Sequence, residues 1–509
     1  MSARLGRLSV GGVAFGLCLC SGIALGQVAL EPAPAASIAD TTGNHGSTPH
    51  VVSPEYPYLI SDPLDSRPRV LDTGAFLPGE VVSPTCPTSV DVSHPLTLLE
   101  TVDVALCANP QVQEAWAAVK IQAAAVGEAR AAWLPVANAT VSQLSNRTDY
   151  PGIPVANTKT SGHTVYASLT WRLVDFGQRA AGDEAASQSL AAALASHDAA
   201  LQKALNGVVQ AYFDALTARA GVDVRHEATQ FAQLTLAATI RRENAGAAPV
   251  SDTLQARAAL AKAKLAEQRS IGDYHKALSV LIYTTGLPVD GRLTLAAEAA
   301  TPQEAAVSDL DNWIAEATTA HPAIAAARAQ LRSAEANVDV VRAQGMPTID
   351  FSGNYYQNGY PNQGLQPTRS NTATVGVTLT IPIFDGFART YQARRAQAQV
   401  EQSRAQLQGT QLEILTTVVK DHADAMATLA NLGSSSDWLN AASESVASAQ
   451  RRYEKGAGDV LELISAQAAL GDAKLERVRC VSEWRAARLR LLADVGRLGR
   501  VDLTREDTQ

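Results

Sequence analysis

Long apolar runs are missing from most of this chain. Beyond residue 26 no stretch reaches the ~18 consecutive apolar residues that a membrane helix needs, so any membrane role there falls to strands. Aromatic residues are scarce, at 5% of 509, and there are only five cysteines. A basic excess is lacking too: 42 Lys and Arg stand against 50 Asp and Glu, and a net charge of −8 gives a nucleic-acid partner no electrostatic support. No nucleotide loop, zinc spacing or nucleophile elbow occurs. The nine His are scattered, and His197, His226 and His422 fall in helical stretches where packing or solvation accounts for them. No catalytic constellation remains, and neither an enzyme nor a cofactor or metal is expected.

Alanine, by contrast, is everywhere, which suits long helices packed closely side by side. A set of landmarks also occurs twice. Asn109-Pro110 returns as His321-Pro322 and Leu134-Pro135 as Met346-Pro347, both at an offset of 212. Asp175-Phe176-Gly177 returns as Phe384-Asp385-Gly386 at 209, and Gly246-Ala247-Ala248 as Gly456-Ala457-Gly458 at 210. Four landmarks within three residues of one period indicate a duplicated unit of helix, two strands, long helix, turn and helix.

Residues 1–26 read as a secretory signal: Arg4 and Arg7 precede the apolar Val10 to Cys20, and Ala24-Leu25-Gly26 fits the cleavage pattern. Lipidation at Cys20 is the second reading, disfavoured by the bulky Leu19. Residues 27–95 form a Pro-rich leader expected to be partly disordered. The first repeat spans 96–290, a linker 291–302, the second repeat 303–498 and a C-terminal tail 499–509. Export leaves Cys86, Cys107 and Cys480 in an oxidising compartment. A bridge between Cys86 and Cys107, both near the start of the folded body, is expected; three buried thiols are the alternative.

Within each repeat the periodicity changes sharply. Ala137 to Ser142 alternates, as do Thr164 to Leu173, Ile349 to Tyr356 and Thr374 to Ile383, and period two with one apolar face means strand. Loops rich in Gly, Pro and Asn, Tyr150 to Gly162 and Asn358 to Ser370, join the members of each pair. After Gly177 the residues Leu190, Leu194, Leu201, Leu205, Val208, Tyr212 and Leu216 follow helical spacing. A helix running to about Asn244 would be ~100 Å long at 1.5 Å per residue, which no ordinary globular core accommodates. The expected fold is mostly α with a transmembrane β-barrel: four strands per chain, long tunnel hairpins and two tandem repeats. Four strands alone would leave open edges in hydrocarbon, at several kcal/mol for each unpaired group, so oligomerisation must complete the barrel.

In this order and twice over, Ala105 to Pro110, Trp133-Leu134-Pro135, Leu173 to Gly177, Pro382 to Gly386 and Tyr453 to Glu462 resemble the TolC-like outer-membrane efflux and secretion channels. The resemblance covers about Leu96 to Leu498. It implies a homotrimer in the outer membrane with its helices in the periplasm, a periplasmic adaptor, and an inner membrane transporter, expected to be of the ATP-binding cassette type. Ala105 to Pro110, with Cys107, look most like the CyaE type that secretes adenylate-cyclase haemolysin toxins. Small-molecule efflux of drugs or metals is the nearest alternative, and a periplasmic adaptor, which has a single hairpin, the alternative of another class.

The resemblance also assigns the turns. Gly246, Ala247, Ala248, Gly456, Ala457 and Gly458 would meet the adaptor, and an acid six residues after the turn glycine, Glu462 here, would line the periplasmic constriction, with Asp252 as its counterpart in the first repeat. A second family acid is Ser465 here and the family's basic gate residue is Gly458, two departures that weaken the expected ring and gate network. Asp459 and Glu462 alternatively have capping-box spacing. The aromatics Trp133, Tyr150, Tyr166, Trp171, Phe351, Tyr355, Tyr356 and Tyr360 cluster about the strands as an interfacial girdle would.

Overall fold

A computed structural model of the chain describes residues 62–68, 94–149, 158–287, 293–296, 309–359, 369–499 and 502–503. The chain divides into two units, residues 1–61 and 62–509, and everything described lies in the second. The signal segment, Cys20 and most of the leader lie outside the described residues.

The first repeat runs α1 (Leu98–Ala108), α2 (Pro110–Ala131), β1 (Val136–Thr148), β2 (Thr158–Val174), α3 (Gln178–Asn244) and α4 (Val250–Thr285). The second runs α5 (Leu310–Ala320), α6 (Pro322–Ala343), β3 (Thr348–Asn358), β4 (Ser370–Thr380), α7 (Ala388–Glu454) and α8 (Val460–Asp494). Helices α3 and α7 each hold 67 residues, about 100 Å at the α-helical rise.

Local chemistry starts these helices in matching ways. Thr97 and Glu100 close a reciprocal capping box on α1, with Thr97 N–H donating to Glu100 Oε2 at 2.9 Å. Asn109 caps α2 by accepting from the N–H of Gln111 at 2.8 Å, while Pro110 takes the first helical position. His321 does the same for α6, its Nδ1 accepting from the N–H of Ala323 at 3.1 Å. Burial lowers the His321 pKa, which keeps the ring neutral and able to accept.

The strand-to-helix junction corrects one landmark. Asp175 and Asp385 are equivalent: each accepts from Nε of the arginine four residues on, Arg179 or Arg389, at 2.7 Å. The offset there is therefore 210 rather than 209, and Gly177 matches Phe387 while Phe176 matches Gly386. All four have positive φ, so each copy makes the same turn with its glycine in the other position.

The four strands form one antiparallel sheet in the order β1-β2-β3-β4, leaving β1 and β4 as edges. Two boundaries differ from expectation. Strand β2 begins at Thr158, five residues inside the segment read as loop, because Thr158 to Gly162 pair with Leu144 to Thr148. Strand β4 ends at Thr380, so Ile381 and Ile383 lie beyond the ladder, where Pro382 has no N–H to donate.

The packed core sits partway along the long helices. Leu98, Val102, Leu205, Tyr212, Leu281 and Leu489 cluster there. Between the repeats, Leu295 bridges to Leu96 and both are buried, and in the tail Leu503 is buried in the same core. A second cluster in the other repeat gathers Val418, Leu432, Trp484 and Leu491. Large apolar residues exposed on the single chain concentrate on the strands, among them Val141, Trp171, Val375, Val377 and Leu379.

Candidate functional site

Each long helix ends in the same turn. Gly246 and Gly456 have φ of 70° and 75°, the left-handed region that favours glycine after a helix. Ala247 N–H donates to Arg242 O at 2.8 Å, and Ala457 N–H to Arg452 O at 2.9 Å, satisfying carbonyls the helix end leaves open. Gly246, Ala247, Gly456 and Ala457 are exposed, whereas Ala248 and Gly458 are half-buried. A Cβ on Gly458 would stand 3.0 Å from Tyr453 N and Arg452 Cβ, so close backbone approach explains a small residue there.

The equivalent arginines of the two turns are used differently. Arg242 reaches from the first repeat to the second: Nη1 donates to Tyr453 O at 2.9 Å, and the guanidinium lies over the Tyr453 ring at 4.8 Å. Arg452 stays within its own repeat and donates to Glu462 Oε1 at 2.7 Å. Tyr453 itself is buried with Val460, Leu463 and Ala466, and its hydroxyl has no partner among the described residues. Further up, Lys474 donates to Glu227 Oε2 at 2.6 Å and Arg225 to Asp472 at 3.3 Å, tying α3 to α8 across the repeats.

The capping-box alternative for Glu462 does not form. Asp459 does cap α8, accepting from the N–H of Leu461 at 3.2 Å, but Glu462 is exposed and turns to Arg452 instead of back to the cap. Asp252 lies in the first turn of α4 and is half-buried. The two acids occupy corresponding places in the two turns, and among the described bonds none joins them.

Exposed apolar side chains flank both tips: Leu234, Val250, Leu254 and Leu461 are each more than half exposed on the single chain. Sequence reading passed over Arg242 and Arg452, because their partners are set by packing of one helix end on another. The conspicuous signal was the repeated Arg-Arg before each turn glycine, Arg241-Arg242 and Arg451-Arg452.

At the other end, the even-numbered positions of β2 and β3 present Tyr166, Thr170, Arg172, Asp350 and Asn354 on one face. Arg172 Nε donates to Asp350 at 2.9 Å and the Tyr166 hydroxyl to Asn354 at 2.8 Å. Tyr166 and Tyr356, which are direct partners, thus belong to the polar face and not to a lipid girdle. Trp171 and Phe351 pair on the apolar face, where the Trp171 indole also donates to Trp133 O at 2.9 Å. Tyr150 and Tyr360 lie outside the described residues.

Cys107 is disulfide-bonded and Cys480 is a free, buried thiol. Cys86 lies outside the described residues. Among the described residues no His, Cys, Asp and Glu cluster fits a metal ion, and no helix is long and apolar enough to cross a membrane.

The outer membrane efflux protein family matches residues 101–287 and 313–497, one stretch in each repeat. Protein CyaE of Bordetella pertussis is 36% identical over 419 residues, covering 82% of this chain and 88% of that protein. Among solved structures, the CmeC outer membrane channel of Campylobacter jejuni has a TM-score of 0.68 at 15% identity, covering 86% of this chain and 98% of its own. The outer membrane protein VceC of Vibrio cholerae has 0.66 at 19%, covering 78% and 96%.

Proposed function

The chain belongs to the outer membrane efflux protein family, and we propose that it is the passive exit duct of a type I secretion system for a protein toxin. Its place is the outer membrane, with the helical part in the periplasm, and it is not an enzyme. TolC-like channels are trimers that work with a periplasmic adaptor and an inner membrane transporter, and family membership removes the adaptor reading of the chain itself. The finer assignment, with a transporter of the ATP-binding cassette type, is supported chiefly by the 36% identity to Protein CyaE across most of both chains. The motif Ala105 to Pro110 supports it as well. There Asn109 both caps α2 and donates from Nδ2 to Thr284 O at 2.9 Å, locking α1, α2 and α4 at one joint.

In this reading the paired turns are the periplasmic end of the tube. Three copies of Glu462 line the constriction, with Asp252 contributing less, and Gly246, Ala247, Ala248, Gly456, Ala457 and Gly458 meet the adaptor. Exposed Leu234, Val250, Leu254 and Leu461 beside the tips support a contact surface. Deleting the gene tests the assignment. Loss of a large secreted protein from the medium, with drug and metal sensitivities unchanged, is expected; unchanged secretion with new drug or metal sensitivity would make the chain a small-molecule efflux channel.

A further inference from the structure

The outward face of the sheet changes character along its length. On β1 and β2 the odd-numbered positions carry Ala137, Ala139, Val141 and, opposite, Val165, Ala167, Leu169, Trp171 and Leu173. Val165 to Leu173 spans about 26 Å of strand at ~3.3 Å per residue, roughly 20 Å in height at the tilt of a membrane barrel. That nearly fills the ~25 Å apolar band of such barrels.

Beyond this band the same face turns basic. Arg147 and Lys159 are direct cross-strand partners, and both are exposed. Like charges set opposite each other oppose strand pairing unless something answers them. Asp149 answers one, at 3.1 Å from Arg147 Nε. Arg369, exposed one residue before β4, continues the odd-numbered series of Val375, Val377 and Leu379. Residues 143–163 and 357–371 contain no other charged side chain apart from His163, so this end is positive in a chain whose net charge is −8. The polar face differs, because its one described pair of charges, Arg172 and Asp350, neutralise each other at the opposite end.

We propose that Arg147, Lys159 and Arg369 form an outward basic collar that binds the phosphorylated headgroups of the outer-leaflet glycolipid. By strand rise and tilt the backbone of the collar stands about 15 Å above Val141, and the long side chains of Arg147 and Lys159 snorkel down toward the headgroup layer, about 5–8 Å thick, that overlies an apolar band. Because β1 and β4 are the sheet's edges, barrel closure sets Arg369 of one protomer beside the edge bearing Arg147 of the next. Phosphate charge then answers the unbalanced cations, while acyl chains pack on Val141, Leu169 and Trp171 below. A soluble anion would gain nothing from that apolar face.

Trimers extracted from phosphatidylcholine vesicles containing bisphosphorylated lipid A test the collar by the amount of lipid A they retain. The wild type should retain lipid A, and Arg147→Gln with Lys159→Gln and Arg369→Gln together should reduce retention about tenfold. Dephosphorylated lipid A should be retained poorly by both. Trimers that resist denaturing detergent and keep their conductance establish that the variant is folded. If the triple variant does not assemble, Lys159→Gln should lower retention while Lys159→Arg preserves it. Equal retention by the wild type and either glutamine variant, or by phosphorylated and dephosphorylated lipid, overturns the proposal.

Discussion

Arg242 and Tyr453, 211 residues apart in sequence, join the tips of the two repeats: the guanidinium donates to the Tyr453 carbonyl at 2.9 Å and covers its ring. A bond from one hairpin to the other resists their separation, and with the tips at the periplasmic end of the tube, as proposed, separation is what widening it there requires. Arg242→Ser removes both contacts without disturbing the turn glycines. Single-channel conductance in planar bilayers should rise several-fold, with trimers intact. Unchanged conductance would mean that the link does not restrain the tips.

The ion pair between Arg452 and Glu462 makes opposite predictions for its two members. Rings of carboxylates favour cations and bind multivalent ones, and Arg452 partly offsets Glu462. Glu462→Gln should lower cation selectivity and relieve block by divalent ions, with Asp252→Asn giving a smaller change. Arg452→Gln should raise selectivity. Reversal potentials in a salt gradient decide it, and no shift in either glutamine variant would place the constriction elsewhere on the turns.

A buried acid pair should make stability depend on pH. Burial first, and then Asp421 beside it, push the Asp494 carboxyl up to about 8, against the opposing pull of Arg490 and Lys420. Arg490 stands 3.8 Å from Asp421, and one Asp494 oxygen is buried without a partner. The unfolded carboxyl titrates near ~3.9, so the folded state binds the proton more tightly and stability falls as pH rises from about 4 through about 8. Asp494→Asn should match the wild type near pH 4 and exceed its Tm by a few degrees at pH 9. A difference that stays constant over that range would remove the acid pair as its source.

Cys107, in the first helix, is disulfide-bonded, and Cys86 is the partner we propose. Non-reducing peptide mapping should recover Cys86 and Cys107 in one linked peptide, with Cys480 free. Cys86 recovered as a free thiol would contradict it.

Much of the fold was legible because its signals are long and repeated. Helical spacing from Leu190 to Leu216 and strict alternation from Thr164 to Leu173 each select one backbone period, and duplication supplied each element twice. Boundaries set by pairing were less legible: Thr158 to Gly162 read as turn residues, yet the ladder to β1 carries them. At the tips the turn glycines were visible, since a left-handed residue leaves a local mark. The partners of Arg242 and Arg452 left none, because contacts between helix ends more than 200 residues apart depend on how the hairpins pack. Glu462 illustrates the same limit, its spacing fitting a capping box while an arginine ten residues earlier takes the carboxylate.

Single-channel recording from the purified protein shows whether its trimer is a duct. Trimers extracted from outer membranes and inserted into a planar bilayer should give discrete, cation-selective current steps, as expected of three sheets closed into one barrel over an acidic constriction. Monomers in the same preparation, with open sheet edges at β1 and β4, should give none. Intact trimers that carry no current, even with Arg242→Ser, would contradict a duct.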